Sequence, residues 1–275
     1  MSDTRQKLSG TNSDELGELR FHEHVSRVFG NSRQLRVWLP PGYSSPENDG
    51  RRYPVFYLND GQNLFQPETS FAGVDWQVGQ TLSGLIREEV IAPMIVVGID
   101  NATVERIREF LPYKSLHPPV PKPLGKRYPE FLIDEVMPFI ARTYRIARGM
   151  KNTGLGGSSL GAAISLYTVI ACPGVFGRLL LESPSLFVSN KQLLKEGRAA
   201  QNWPQRVFLG VGTRESGQTE RDQRIVDDVR ALAHTLHLAG LREKRLRLVV
   251  QEGATHCEAA WAERFPEAAA FLFSE

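Results

Sequence analysis

The feature that most constrains the fold of this chain is a glycine-rich segment at residues 153–165, TGLGGSSLGAAIS. Its centre, GSSLG at residues 157–161, fits the G-x-S-x-G pattern of a sharp turn between a strand and a helix, which exposes the hydroxyl of the middle serine. Here that serine is Ser159. We expect a strained backbone at Ser159, and side chains at Gly157 or Gly161 would collide with the neighbouring strand and helix. The segment therefore predicts a nucleophilic serine at one edge of a sheet.

Strands and helices alternate along most of the chain. Residues 18–25 and 33–39 alternate polar with apolar side chains, and the turn-forming residues 30–32 between them predict an antiparallel hairpin. Further strands are predicted from apolar runs at residues 55–58, 94–99, 179–181, 207–211 and 246–250. Helices are predicted at residues 78–87, 128–140 with a kink at Pro138, 162–171, 225–236 and 257–273. This alternation predicts an α/β fold, with a mostly parallel central sheet, helices on both faces and an antiparallel amino-terminal hairpin.

The chain is predicted to form one domain, at residues 17–275, because no repeat or long linker divides it. Residues 1–16 lack periodicity and are expected to be disordered or a loosely attached arm. Residues 101–126 also lack a clear period and contain five prolines. Since loops of this length in a compact domain are usually functional, we expect this segment to form a rim or lid over the site.

The composition excludes several classes of protein. Of the 275 residues, 41% are hydrophobic and 23% are charged, and the formal net charge is +2. A nearly neutral chain of this kind is not expected to bind nucleic acid or an anionic membrane. The two cysteines, Cys172 and Cys257, are too few for a disulfide framework and have no metal-ligand spacing. The polar first 16 residues lack the apolar run of a secretory signal, so a cytoplasmic protein is expected.

A serine hydroxyl needs a base within hydrogen-bond reach before it can act as a nucleophile. Among the six histidines, only His256 directly follows a predicted strand, at the carboxyl edge where the turn at Ser159 also lies. A loop or helix-cap histidine is the alternative interpretation of His256. The other histidines are a pair on an early strand, a pair on a helix and one in the proline-rich loop: His22 and His24, His234 and His237, and His117. Neither pair has a nearby third ligand, so no metal site is predicted.

The acid that orients the base is expected between Ser159 and His256, because this kind of turn places its triad in the chain order serine, acid, histidine. Glu215 lies in the loop after the predicted strand at residues 207–211 and is our candidate. Its rivals lie on the next helix, where solvated acids are expected, and after an earlier strand: Asp222, Asp227, Asp228 and Glu182.

Acyl transfer also needs two backbone amides that point at the developing oxyanion. The first is the amide of Leu160, at the amino terminus of the helix that begins at the turn. The second is expected from the loop NDGQ at residues 59–62, where Gly61 lets the main chain approach closely and Gln62 is the donor. A plain β-turn is the alternative interpretation of this loop.

Taken together, these segments resemble the putative-esterase (esterase D-like) branch of the α/β-hydrolases, which includes feruloyl esterases, siderophore esterases, S-formylglutathione hydrolases and the antigen 85 mycolyltransferases. The segments that carry the resemblance are YLNDGQNLF at residues 57–65, VGIDN at 97–101, Arg106 with EFLP at 109–112, GGSSLG at 156–161, SPS at 183–185, and His256 with Trp261. The resemblance implies an α/β-hydrolase fold that works without a cofactor. It also implies a catalytic triad of Ser159, Glu215 and His256. The amides of Gln62 and Leu160 match the oxyanion hole of the family.

The chain departs from the family pattern in three places. Ala162 stands where many relatives have glycine, and Glu215 stands where many have aspartate. Leu160 follows the nucleophile, where S-formylglutathione hydrolases usually carry methionine. The last difference argues against that activity.

The resemblance therefore implies a serine esterase that cleaves a small ester, or one of carbohydrate or aromatic type, through an acyl-enzyme. Two alternatives stay open: an acyltransferase with the same triad, and a catalytically inactive ligand-binding protein on the same scaffold. The candidates for substrate-binding residues are Asp60, Trp76, Arg106 and Tyr113. The acyl and alcohol parts of the substrate, and the oligomeric state, do not follow from the sequence.

Overall fold

Nine strands form the large sheet of the computed structural model, which describes residues 4–6, 13–117 and 119–274. The strands in chain order are β1 (Thr4–Gln6), β2 (Glu18–Val25), β3 (Ser32–Leu39), β4 (Val55–Asn59), β5 (Ile95–Ile99), β6 (Ser115–Leu116), β7 (Pro119–Val120), β8 (Thr153–Ser158), β9 (Arg178–Glu182), β10 (Arg206–Arg214) and β11 (Leu246–Thr255). Strands β6 and β7 pair with each other, in a separate hairpin. The order of the strands in the large sheet is β1-β2-β3-β5-β4-β8-β9-β10-β11. β4 and β8 are adjacent, parallel strands in the middle of the sheet. The segments that follow them therefore lie side by side at the carboxyl ends of the central strands.

Six neighbouring strands, from β5 to β11, run parallel, and the amino-terminal strands run antiparallel to their neighbours. The pairing of β2 with β3 extends from Glu18 opposite Leu39 to Val25 opposite Ser32. The mostly parallel sheet and the antiparallel hairpin at the amino terminus are therefore confirmed.

The α-helices are α1 (Ser13–Leu16), α2 (Val78–Arg87), α3 (Arg106–Phe110), α4 (Tyr128–Glu130), α5 (Met137–Thr143), α6 (Ser159–Ala171), α7 (Val188–Ala199), α8 (Thr219–Leu238) and α9 (Glu258–Phe273). A π-helical turn, Phe131–Val136, separates α4 from α5. The backbone stays helical from this turn into α5, and Pro138, the second residue of α5, has no N–H to donate to the preceding turn. The predicted helix at residues 128–140 is thus present, with a change to π-helical pitch directly before Met137 and Pro138.

Alternate residues of β4 pack on opposite faces of the sheet, which explains why this strand is apolar throughout. Val55 and Tyr57 belong to one hydrophobic cluster, with residues of α5, α6, α7 and α8. Phe56 and Leu58 belong to the other, with residues of α2 and α9. The predicted helices on both faces are confirmed, and the fold is that of the α/β-hydrolases.

Two peripheral segments were predicted without regular structure. In the first, Thr4–Gln6 pairs with β2 and Ser13–Leu16 is helical, whereas the other residues of 1–12 lie outside the described residues. In the second, residues 101–126, the chain forms α3 and the β6–β7 hairpin, and Pro118 is outside the described residues. The loose arm and the lid stay predictions.

The register of β10 and β11 decides which residues leave the sheet together. Both strands are longer than the predicted runs, because an irregularity between Gly212 and Arg214 lets pairing continue until Arg214 lies opposite Thr255. Glu215 and His256 are the next residues along each chain segment. The sheet therefore delivers these two side chains to the same point of its carboxyl edge.

The tight approach of β8 to β9 gives a first prediction. A Cβ atom on Gly156 would lie 2.6 Å from Leu180 Cβ and 2.9 Å from Leu180 O, so Gly156→Ala forces two central strands apart. We expect this variant to lose about 3 kcal/mol of unfolding free energy in urea denaturation.

Gly50→Ala is the matched control, because no atom lies within 4 Å of a Cβ atom built there. Its unfolding free energy should stay within about 0.5 kcal/mol of the wild type. Equal unfolding midpoints for Gly156→Ala and the wild type would contradict this account of the packing.

Candidate active site

Ser159 lies where β8 ends and α6 begins, with a left-handed φ of 55°. Non-glycine residues rarely adopt this conformation, so the surrounding packing must hold it. A Cβ atom on Gly157 would lie 3.1 Å from Asn59 Cβ, and one on Gly161 would lie 2.9 Å from Asp60 Oδ2. The two glycines therefore let the end of β4 approach the turn closely, and Ser159 projects from it.

His256 and Glu215 form a hydrogen-bonded pair at the ends of β11 and β10. His256 Nδ1 lies 2.5 Å from Glu215 Oε2. The other carboxylate oxygen, Oε1, accepts hydrogen bonds from Gly212 N at 2.6 Å and from Ser183 Oγ at 2.7 Å. The Glu215 side chain has no exposed surface, whereas that of His256 is 34% exposed. The carboxylate is thus buried and satisfied, and the imidazole reaches the surface.

The ionisation of Glu215 fixes the tautomer of His256. Burial alone would raise the pKa of Glu215, but hydrogen bonds from His256, Ser183 and Gly212 outweigh it and hold the pKa below its usual value. An ionised carboxylate can only accept hydrogen bonds, so Nδ1 of His256 carries a proton. In the neutral imidazole, Nε2 is then a free acceptor.

Ser183 and Trp261 support this pair from beneath. Trp261 Nε1 donates to Ser183 Oγ at 2.9 Å, and the Ser183 hydroxyl in turn donates a hydrogen bond to Glu215 Oε1 at 2.7 Å. The indole also meets the imidazole of His256 edge to face, with ring centroids 5.0 Å apart. The sequence marked Ser183 and Trp261 only as parts of family motifs, and the contacts give them a physical role.

The hydroxyl of Ser159 is not yet bonded to its candidate base. Its Oγ lies 3.3 Å from Ser185 Oγ, and no hydrogen bond joins Ser159 to His256 within the described part of the chain. Both side chains line one cleft. A rotation of the hydroxyl away from Ser185 is therefore needed before proton transfer, as is common in sites without substrate.

Glu182, one rival acid, is committed to another partner. Its Oε2 accepts hydrogen bonds from Arg264 Nε at 2.9 Å and from Arg264 Nη2 at 2.7 Å, and the pair is buried. Burial raises the pKa of Glu182 to about 7, although the charge and hydrogen bonds of Arg264 oppose the shift. Glu182 thus lies beneath the site and does not touch His256.

The three rival aspartates on α8 also have partners of their own. Asp222 accepts hydrogen bonds from the amide and hydroxyl of Ser216, both at 2.6 Å. The remaining two form ion pairs: Asp227 with Arg230 at 3.7 Å, and Asp228 with Lys191 at 2.7 Å. Of the candidate acids, Glu215 is the one that the fold brings to His256.

The two candidate oxyanion donors lie at the starts of helical turns. Leu160 is the second residue of α6, and Gln62 is the second residue of a 3-10 turn, Gly61–Asn63, after β4. Amides at these positions have no partner within their own turn. A Cβ atom on Gly61 would lie 2.5 Å from the carbonyl carbon of Gly98, so only glycine permits this approach to β5.

Ser159 and His256 open on a cleft of about 800 Å³. Its lining residues are Asp60, Gln62, Asn63, Thr69, Phe71, Ala72, Asp100, Asn101, Thr103, Arg106, Ser158, Ser159, His256, Cys257, Glu258 and Trp261. Arg106 Nε and Nη2 each donate to one oxygen of Asp60 at 2.7 Å, and Asn101 Nδ2 donates to Asp60 Oδ1 at 2.7 Å. Asp60 and Arg106 thus form a neutral pair on the cleft wall.

The other two predicted substrate-binding residues lie elsewhere. Trp76 is buried, with its ring 5.9 Å from that of Trp261, and lies behind the cleft lining. Tyr113 packs edge to face on Tyr167 at 5.9 Å and donates a hydrogen bond to Glu196. Both aromatic side chains therefore contribute packing outside the cleft.

The early-strand histidines serve packing contacts. His22 Nε2 lies 2.6 Å from the hydroxyl of Tyr144, and His24 Nε2 lies 3.7 Å from Glu135 Oε2. Across residues 4–6, 13–117 and 119–274, no group of three or more His, Cys, Asp or Glu side chains is arranged to hold a metal ion. None of the helices in these ranges has the length and apolar character needed to cross a bilayer.

Comparisons with known proteins identify the family of this chain. Residues 26–272 match the family model described as Putative esterase. The endo-1,4-beta-xylanase/feruloyl esterase of Xylanibacter ruminicola is 25% identical over 249 residues, which cover 90% of this chain and 30% of that protein.

Two solved structures share the fold. Enterobactin esterase FES of Shigella flexneri has a TM-score of 0.71 and 20% identity, over 92% of this chain and 58% of that chain. Siderophore hydrolase EstB of Aspergillus nidulans has a TM-score of 0.68 and 16% identity, over 98% of each chain. This chain thus spans little more than half the length of enterobactin esterase. Because the family model covers most of the sequence and contains the turn at Ser159, the chain belongs to the Putative esterase family of α/β hydrolases.

Proposed function

We propose that this protein is a serine carboxylic-ester hydrolase that acts through an acyl-enzyme. One observation carries the proposal: the strained Ser159 and His256, whose Nδ1 contacts the buried Glu215, open on the same cleft. A lone serine is unreactive, and a lone histidine–carboxylate pair is common. Their meeting at one edge of the sheet is the arrangement that nucleophilic catalysis requires.

The first step forms the acyl-enzyme. Ser159 Oγ turns from Ser185 towards His256, and Nε2 of the neutral imidazole accepts its proton while the oxygen attacks the ester carbonyl carbon. Glu215 stays ionised and stabilises the imidazolium through the 2.5 Å contact at Nδ1. Since the carboxylate already has two other donors, it does not take the proton from His256.

The carbonyl oxygen becomes negative in the tetrahedral intermediate, and the amides of Leu160 and Gln62 are proposed to stabilise it. Each amide lies at the start of a helical turn, so its N–H has no competing partner in that turn. Loss of one such donor typically costs about 3 kcal/mol of transition-state stabilisation.

The intermediate collapses when His256 gives its proton to the leaving alkoxide. Water then enters, His256 removes a proton from it, and the second tetrahedral intermediate releases the acid and Ser159. A cleft of about 800 Å³ admits a small ester or an ester with one aromatic or sugar group. The relatives named for enterobactin and feruloyl esters support this range, although they share only part of their length with this chain.

Covalent labelling tests the nucleophile. A fluorophosphonate probe should label the wild type with one adduct, and Ser159→Ala should abolish both the adduct and the hydrolysis of p-nitrophenyl acetate. Intact-mass spectrometry gives the stoichiometry, and peptide mapping gives the modified residue.

Ser158→Ala is the control, because Ser158 lines the same cleft one residue away. It should keep the adduct. A folded wild type that takes up no probe would reject the enzyme in favour of a binding protein, and products that carry an added alcohol instead of water would indicate acyl transfer.

Glu215→Gln tests the proposed tautomer. Gly212 N–H and Ser183 O–H both need an acceptor, so the amide oxygen of the new glutamine should occupy the Oε1 position. Its NH₂ then faces His256 Nδ1 and donates to it, which moves the imidazole proton to Nε2. The base is blocked, and kcat should fall by about 10³- to 10⁴-fold with little loss of folding.

Glu263→Gln, an exposed acid on α9, makes the same change of charge away from the site and should leave kcat within about twofold of the wild type. A Glu215→Gln enzyme with kcat close to the wild type would remove Glu215 from the mechanism while leaving Ser159 in place.

A further inference from the structure

Glu258 is a buried carboxylate in the cleft that the proposed reaction does not use. It is the first residue of α9, two residues after His256, and only 6% of it is exposed. It lines the same cleft as Ser159. A carboxylate this deeply buried needs a partner, because burial without one is costly.

The partners of Glu258 satisfy only part of it. Oε1 accepts one hydrogen bond, from Asn63 Nδ2 at 3.2 Å. The backbone amide of Glu258 itself also donates to the carboxylate. Within the described residues, no second side chain donates to it, and no Lys, Arg or His side chain forms an ion pair with Glu258 within 4.0 Å. An ionised carboxylate has about four acceptor positions, so this one keeps capacity for a ligand.

The charges of the cleft do not cancel. Asp60 is matched by Arg106 in a two-point pair, and Asp100 is matched by Arg36, with contacts of 2.7 and 3.0 Å. Glu258 is the acid of the lining that has no ion-pair partner within 4.0 Å among the described residues. Burial raises the pKa of Glu258 and the charge of Asp60 acts in the same direction, whereas its own backbone amide and the charges of His256 and Arg106 oppose the shift.

Two aromatic side chains line the cleft together with this carboxylate. Phe71 lines the cleft with 91% of its surface exposed, and its amide donates to Asn63 Oδ1 at 3.1 Å. Asn63 thus connects the Phe71 segment to Glu258 through one carboxamide. Trp261, on the same helix as Glu258, also lines the cleft. A cleft lined by a carboxylate and by aromatic side chains is a combination that recognises an ammonium group.

The position of Glu258 in the chain indicates which half of an ester it would contact. The leaving oxygen must lie near His256, because His256 protonates it. Two residues span at most about 7 Å, and the charge of His256 acts on Glu258, so this carboxylate lies near the group that protonates the leaving oxygen.

We propose that Glu258, with Phe71 and Trp261, forms a subsite for a positively charged alcohol group, so that the preferred substrates are esters of amino alcohols. The inference rests on the proposed esterase function and specifies its substrate class. It also predicts that polyanionic esters bind poorly, because they would add negative charge beside Glu258.

Binding and turnover with matched compounds test the subsite. Choline and its uncharged isostere 3,3-dimethylbutan-1-ol are compared by calorimetry near pH 8 and at low salt, and acetylcholine and 3,3-dimethylbutyl acetate by kcat/KM. We expect the wild type to favour the cation by about tenfold in both assays. Glu258→Gln should remove this preference, since glutamine keeps the acceptor for Asn63 but loses the charge.

Glu263→Gln is again the control and should keep the tenfold preference, with melting temperatures recorded for both variants. Equal binding of the two alcohols by the wild type, or a preference that persists in Glu258→Gln, overturns the subsite. Choline binding that depends on Glu258, in a protein that hydrolyses no ester and takes up no fluorophosphonate, would reject the esterase and retain the cation site.

Discussion

The contact between the end of β4 and the turn at Ser159 is the constraint on which the rest of the site depends. Asn59 Nδ2 donates to Gly161 O at 3.1 Å and to Ser165 Oγ at 2.9 Å, so the last residue of β4 is fixed to the first turns of α6. The next residue, Asp60, has a left-handed φ of 58° and packs on Gly161. Because both segments are strained and tightly packed, neither can move alone. The amides that begin their helical turns are thereby preorganised, which is the condition for electrostatic stabilisation of an oxyanion.

A second pair of strands carries the other half of the proposed machinery. The pairing of Arg214 with Thr255 places Glu215 and His256 at adjacent exits from the sheet. Glu215 is enclosed there, yet its pKa is lowered, because three hydrogen bonds to its charged form outweigh the effect of burial. An acid that keeps its charge without solvent is a fixed electrostatic partner for an imidazolium. The irregularity near Gly212 lets β10 and β11 continue beyond the apolar runs from which they were predicted.

The features that could be predicted from the sequence are those that a short stretch of residues determines. Apolar runs located the strands, and the order of strand, glycine turn and helix located Ser159; the position of His256 after a strand selected it among six histidines. Local patterns do not predict which side chains from distant segments pack against one another. Trp76 and Tyr113 were candidates for the rim of the site, but packing against Trp261 and Tyr167 places them outside the cleft. Glu258 has the sequence context of an ordinary acid in the first turn of a helix, and only its burial distinguishes it.

One face of α9 connects the cleft to the interior. Glu258, Trp261 and Arg264 follow at helical spacing: the first lines the cleft, the second donates to Ser183, and the third pairs with Glu182 beneath the site. Arg264 Nη1 also donates to Gln251 of β11 at 2.6 Å, so the helix is bonded to the strand that carries His256. A buried ion pair contributes little net stability but is strongly destabilising when one partner is removed. The Arg264–Glu182 pair therefore holds α9 against the end of β9. This contact fixes where Trp261 and Glu258, on the same helix, lie relative to the sheet.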